Sequence, residues 1–217
     1  MGMDKPSFLF LLLLSAVALV FAYQTGFAPS SPYPAIEALG LSAFLLICAS
    51  LLIGPIAVLL PKLGLPLIGP RRSVGLAAFV FALLHGLLAL ALALGWNLAY
   101  IFASTSLFLS SIALLILLAI ALTSNDWAEH RLGAGLWKNI QRFNYLAFIL
   151  VLAHFILQSR GLPYLSASPS GLNLAELALL LLGILTILLQ LAGFVTMRRR
   201  RAQSEEEKSA AGGASGA

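Results

Sequence analysis

The stretch Ala77–Gly95, AAFVFALLHGLLALALALG, contains one residue that does not suit oil, His85. Imidazole is polar in either charge state, and hydrocarbon offers it no hydrogen-bond partner. The fold therefore turns on whether this run lies in a bilayer. Of the 217 residues, 60% are hydrophobic and only 10% charged, and the mean hydropathy is +0.99. Soluble domains carry about a quarter charged residues. This balance excludes a globular domain on a single anchor and predicts an all-α, polytopic membrane protein of one helical bundle.

Crossing ~30 Å of hydrocarbon takes ~20 apolar residues. Six runs qualify: Ser7–Tyr23, Ile36–Leu60, Ser73–Leu94, Leu98–Leu122, Ile140–Gln158 and Leu174–Met197. Loops rich in Gly, Pro, Ser and charge separate them, among them PKLGLPLIGPRR (Pro61–Arg72) and TSNDWAEHRLGAGLWKN (Thr123–Asn139). The break at Gly95–Asn97 is the weakest. Residues 1–197 thus form one transmembrane domain, and 198–217 read as a disordered, polar tail. The first run also fits a signal peptide, but its length and the poor cleavage site in VFAYQTGFA favour a retained span.

Twelve of the thirteen Lys and Arg residues fall on the side of the termini and of the loops after spans two and four; Arg160 alone falls on the other. The positive-inside rule then places both termini in the cytoplasm, as expected for a multi-pass protein of a bacterial inner membrane. The same asymmetry accounts for the net charge of +5 without a nucleic-acid partner. A lone cysteine, Cys48, rules out a disulfide or thiolate metal site within one chain.

No Asp, Glu, Lys or Arg lies deep in a span; Glu37 and Glu176 stand near outer ends. Ion-coupled transporters usually need such charges. The deep polar residues of interest are His85 and His154. His85 follows Arg72 by thirteen residues and His154 follows Arg142 by twelve. Both spans run outward, so at ~1.5 Å per residue the two imidazoles share a depth ~18–20 Å from the cytoplasmic edge. Two facing imidazoles suit the axial positions of one haem iron. Ala78, Ala82 and Ala89 beside His85, and Ala147 below His154, leave room for a porphyrin, and Phe81 would pack on its edge. Two other readings stay open: each histidine bonds a neighbouring helix, or, less well, the pair holds zinc, for which further ligands at that depth are missing. His130, between Glu129 and Arg131, reads as a solvated loop residue.

RRSVGLAAFVFALLH (Arg71–His85) resembles the Arg-Arg-x-x-Gly-Leu…Leu-His signature of the ferric reductase-like transmembrane family. LTSNDWAEHRLGAGLWKNIQRFNYLAFILVLAH (Leu122–His154) resembles that family's Thr-Ser…Leu-Gly…Trp…Tyr-Leu…His segment. LLIGPIAVLLP before the double arginine keeps the same order. Within the family the likeness is to haem-binding membrane subunits that serve periplasmic methionine sulfoxide reductases. The resemblance implies a b-type cytochrome that passes electrons across the inner membrane, with His85 and His154 as haem ligands and Arg71 and Arg72 leading into the third span. It also implies a further histidine near the start of span five, where this chain has Gln141.

On this reading one haem b carries electrons outward to a periplasmic oxidoreductase. A cytoplasmic flavin reductase or membrane quinol is the expected donor, and FMN or a quinone the expected carrier over the inner ~18 Å. The basic collar of Arg71, Arg72, Arg131, Lys138 and Arg142 has two readings: topology alone, or a hold on a haem propionate, a flavin phosphate or a partner. Trp96, Trp127 and Trp137 read as interfacial anchors. The reading of a different class is a haem-free scaffold or small permease.

Overall fold

The computed structural model describes residues 5–24, 33–158 and 174–214, with side chains for 11–20, 33–158 and 177–206. Every described element is helical: α1 (Lys5–Gln24), α2 (Pro34–Leu59), α3 (Pro61–Gly64), a 3₁₀ turn (Leu65–Leu67), α4 (Ile68–Leu88) running into a π-helical turn (Ala89–Ala93), α5 (Ala99–Ala103), α6 (Thr105–Thr123), α7 (Asp126–Gln158) and α8 (Leu174–Ala214). Five stretches are long and apolar enough to cross a membrane: Pro34–Leu59, Pro61–Ala93, Thr105–Thr123, Asp126–Gln158 and Leu177–Glu206. The chain is a multi-pass membrane protein. Of α1, the apolar part whose side chains are described is Leu11–Val20. Most of the loop after the first run, and all of Arg160–Gly171 after the fifth, lie outside the described residues.

The bundle has two halves. In the first, α2 is central, with α1, α4 and α8 against it; in the second, α6 packs along α7. Leu46, Cys48 and Leu51 of α2 and Val74 of α4 are fully buried at the heart of the first half. Pro55 lies inside α2. It has no N–H to give the carbonyl four residues back, which belongs to Leu51. Gln190 of α8 donates its side-chain amide to that carbonyl. The approach is possible because Gly193, one turn further on, lies against Pro55, where an added Cβ would stand 3.0 Å from the ring. On another side of α2, Arg71 Nε donates to the Ser50 carbonyl at 3.1 Å.

Four boundaries differ from the sequence reading. Pro61–Arg72, read as a loop before a span starting at Ser73, is helical throughout, in α3, the 3₁₀ turn and the first residues of α4. The fourth span starts at Thr105 rather than Leu98, because Ser104 is extended and its hydroxyl accepts from the Leu107 amide as an N-cap. The stretch before it turns on Gly95 and Trp96, both at positive φ. The loop Thr123–Asn139 is largely helical: α7 begins at Asp126, where Asn125 Oδ1 accepts from the Ala128 amide, and bends at Gly133 (φ 74°, ψ 152°). Only glycine reaches that conformation at little cost. Finally, α8 runs on to Ala214 through the residues read as a disordered tail. Arg, Gln, Glu, Lys and Ala are good helix formers, so polar turns extend the apolar ones without a break.

Candidate functional site

A cavity of about 500 Å³ lies between the two halves, within the ~300–1,000 Å³ usual for cofactor sites. Its walls come from α2 (Gly40, Phe44), α4 (Ala78, Ala82, His85), α6 (Ala113, Leu117) and α7 (Val151, His154, Phe155). His85 enters from the first half and His154 from the second. Their ring centroids are 6.4 Å apart with planes turned by 67°. Two imidazoles in line on one metal, each bonded at about 2.0 Å, would have centroids about 6 Å apart.

Each imidazole is held by its Nδ1. His85 Nδ1 lies 2.7 Å from the Ile36 carbonyl of α2. That acceptor requires Nδ1 to carry the proton, which leaves Nε2 with its lone pair. The ring sits so close to α2 that a Cβ on Gly40 would stand 2.7 Å from Nδ1. His154 Nδ1 lies 2.8 Å from Ser106 Oγ and 3.1 Å from the Ser106 carbonyl of α6. The carbonyl again makes Nδ1 the donor and frees Nε2. Metal-bound histidines are typically fixed in this way, through the nitrogen that does not ligate.

The remaining lining suits a large flat apolar group with its own equatorial donors. Among the described residues no three His, Cys, Asp or Glu side chains gather as a metal site. A pair of imidazoles alone therefore fits haem iron better than zinc. Ser110 and Ser111 line the cavity but donate back to the Leu107 carbonyl, both at 2.9 Å. Phe155 and Phe44 stack with centroids 5.2 Å apart, and Phe148 continues the stack at 6.2 Å from Phe44. Glu37 reaches the cavity, and its buried Oε2 has no partner among the described residues.

Of the residues singled out in the sequence, Ala78, Ala82 and Ala89 line the cavity with the two histidines. Ala147 is fully buried in the core, and Phe81 packs against that core instead. Arg71 and Arg72 stand at the far end of α4. Arg72 donates to the Ser124 carbonyl at 2.8 Å and pairs with Asp126 at 2.9 Å, so it fastens α4 to α6 and α7. Its guanidinium holds the exposed Asp126 carboxyl below the usual carboxylate range. Gln141 donates to the hydroxyls of Thr123 (3.5 Å) and Ser124 (3.3 Å). Trp137 Nε1 donates to the Thr123 carbonyl, while Trp96 and Trp127 are exposed. The sequence reading missed Gly40, Ser106 and Gln158.

Residues 39–152 match the family described as ferric reductase like transmembrane component. The chain belongs to that family. It is 33% identical over 141 residues to the protein-methionine-sulfoxide reductase heme-binding subunit MsrQ of Agrobacterium fabrum, covering 63% of each chain. It is 31% identical over 153 residues to the protein of the same name from Brucella ovis, covering 68% of each. The chain thus spans about two thirds of the length of these relatives. Both imidazoles and the helices that form the cavity fall within or beside the matched residues.

Proposed function

We propose that this protein is a haem b electron-transfer subunit of a bacterial inner membrane, in which His85 and His154 would hold the haem iron. One observation carries the reading: two imidazoles with ring centroids 6.4 Å apart, each held by Nδ1, line one apolar cavity. Bound haem supplies one-electron chemistry, its iron gaining and losing a single electron. The protein's part is to hold both rings in a fixed tautomer, exclude water with Phe44, Phe155 and the alanines, and set the ligand field. The relatives' name, a heme-binding subunit of a methionine sulfoxide reductase, supports the same cofactor and a partner oxidoreductase.

In this reading α1 is a sixth span and both termini are cytoplasmic, as the charge asymmetry requires. The cavity then lies in the outer half, which favours delivery to a periplasmic acceptor. Arg71 and Arg72 mark the cytoplasmic face, where an anionic carrier such as FMN, a quinol or a flavin reductase would bring electrons. The test is a dithionite-reduced minus oxidised spectrum of the purified protein, expressed with haem supplied. A Soret shift with a resolved α band is expected. A wild-type protein without either is a haem-free scaffold or permease, and the reading fails.

A further inference from the structure

The two imidazoles are not held alike. His85 leans on a backbone carbonyl, that of Ile36. His154 leans on a side chain as well as on main chain: its Nδ1 is 2.8 Å from Ser106 Oγ and 3.1 Å from the Ser106 carbonyl, and Ser106 Oγ is in turn 3.1 Å from Gln158 Oε1. The Ser106 hydroxyl has one proton, and two acceptors compete for it, Gln158 Oε1 and the His154 carbonyl at 3.4 Å. The arrangement that satisfies every group runs one way. His154 Nδ1–H donates to Ser106 Oγ, and Ser106 Oγ–H donates to Gln158 Oε1. Chains of hydrogen bonds polarise one another, and the effect is stronger in a low-dielectric interior. Ser106 is buried, so water does not compete for the link.

We propose that the Ser106 hydroxyl, backed by Gln158, is a positioning group that raises the basicity of His154 and makes the two histidines unequal as ligands. This rests on the haem reading above. A more basic ligand favours the oxidised iron, so the Ser106–Gln158 chain holds the midpoint potential lower than the pocket would otherwise set it. Among the described residues it is the side-chain handle on either ligand, because His85 is governed by main chain.

The experiment compares wild type with S106A, S106T and Q158L, each purified in haem-loaded form and checked for folding by size-exclusion profile. Midpoint potentials come from redox titration, and the ligand field from low-temperature EPR of the oxidised protein. S106A is expected to raise the potential and shift the EPR signal, S106T to restore both, and Q158L to raise the potential by less than S106A. Loss of haem from folded S106A, with retention in S106T, supports the same conclusion. Should S106A fail to fold, S106T and Q158L carry the comparison. S106A with an unchanged potential and spectrum overturns the proposal while leaving the haem reading intact, as does S106T behaving like S106A. Wild type without haem overturns both.

Discussion

His85 and His154 come from different halves of the bundle, and their rings meet with centroids 6.4 Å apart. Neither half holds a complete site. His85 rides on α4 against α2, and His154 on α7 against α6. A metal between them would join the halves as well as bind to them, so cofactor binding is coupled to stability.

The first prediction follows from that coupling. If the pair holds haem as proposed, His85→Ala and His154→Ala would each remove one of two ligands, and each should abolish the spectrum of a six-coordinate haem. Haem supplied to wild type should raise the thermal unfolding midpoint. It should raise neither variant's midpoint by a comparable amount. Differential scanning measurements with and without haem check this, and an equal rise in wild type and variants would count against ligation by the pair.

Gly40 supports the second. A Cβ there would lie 2.7 Å from His85 Nδ1 and 2.8 Å from Cε1, closer than real contacts allow. Gly40→Ala must push the ring away from α2 and break its bond to the Ile36 carbonyl. Loss of such an outer partner typically costs ~10–100-fold in metal affinity. Haem retention by Gly40→Ala, followed by transfer to apomyoglobin, should fall by about that factor. The neighbouring position Leu39, changed to Ala, is the control.

How much of this was legible in the sequence depends on what each residue needs to be read. The histidine pair was legible because charge asymmetry sets the direction of each helix and the helical rise sets depth. Ser106 was not, because the span holding it was read from Leu98, which buried it two turns into a continuous helix. The Ser104 cap that starts α6 at Thr105 is what brings Ser106 to the end of that helix, opposite His154 and Gln158. The partner of His85 is a carbonyl, and every residue has one, so no residue type could announce it. Gly40 has no turn or positive φ to explain it; only the ring beside it gives it a role. The helical start of α7 was obscured by its polar composition, which looks like a loop when the Gly133 bend is unknown.

The pair between Arg72 and Asp126 supports a third prediction, about pH. The Asp126 carboxyl titrates below its ordinary range because Arg72 favours its ionised form. A carboxylate depressed in the folded state contributes stability above its unfolded value of about 3.9 and loses it as pH falls through the folded value. Wild type should therefore melt above Asp126→Asn at neutral pH, and the two melting curves should converge as pH drops below about 4. The difference should shrink with salt as well, since the pair is exposed. A gap that persists in acid would assign the effect to something other than this ion pair.

The last prediction concerns the break in α2. Pro55 leaves the Leu51 carbonyl without its helical donor, and Gln190 supplies one from α8. Replacing Gln190 with Leu keeps similar bulk but orphans a buried acceptor, which should cost about 1–3 kcal/mol. If the orphan comes from proline, the cost must depend on proline. In a Pro55→Ala background the residue at 55 recovers an N–H that can reach Leu51, and Gln190→Leu should then cost much less. The two changes would be strongly non-additive, as expected for groups that share one acceptor. Unfolding of the four proteins in a denaturing detergent series measures the coupling. Equal costs in both backgrounds would mean that Gln190 stabilises the bundle by packing, not by closing the gap that Pro55 opens.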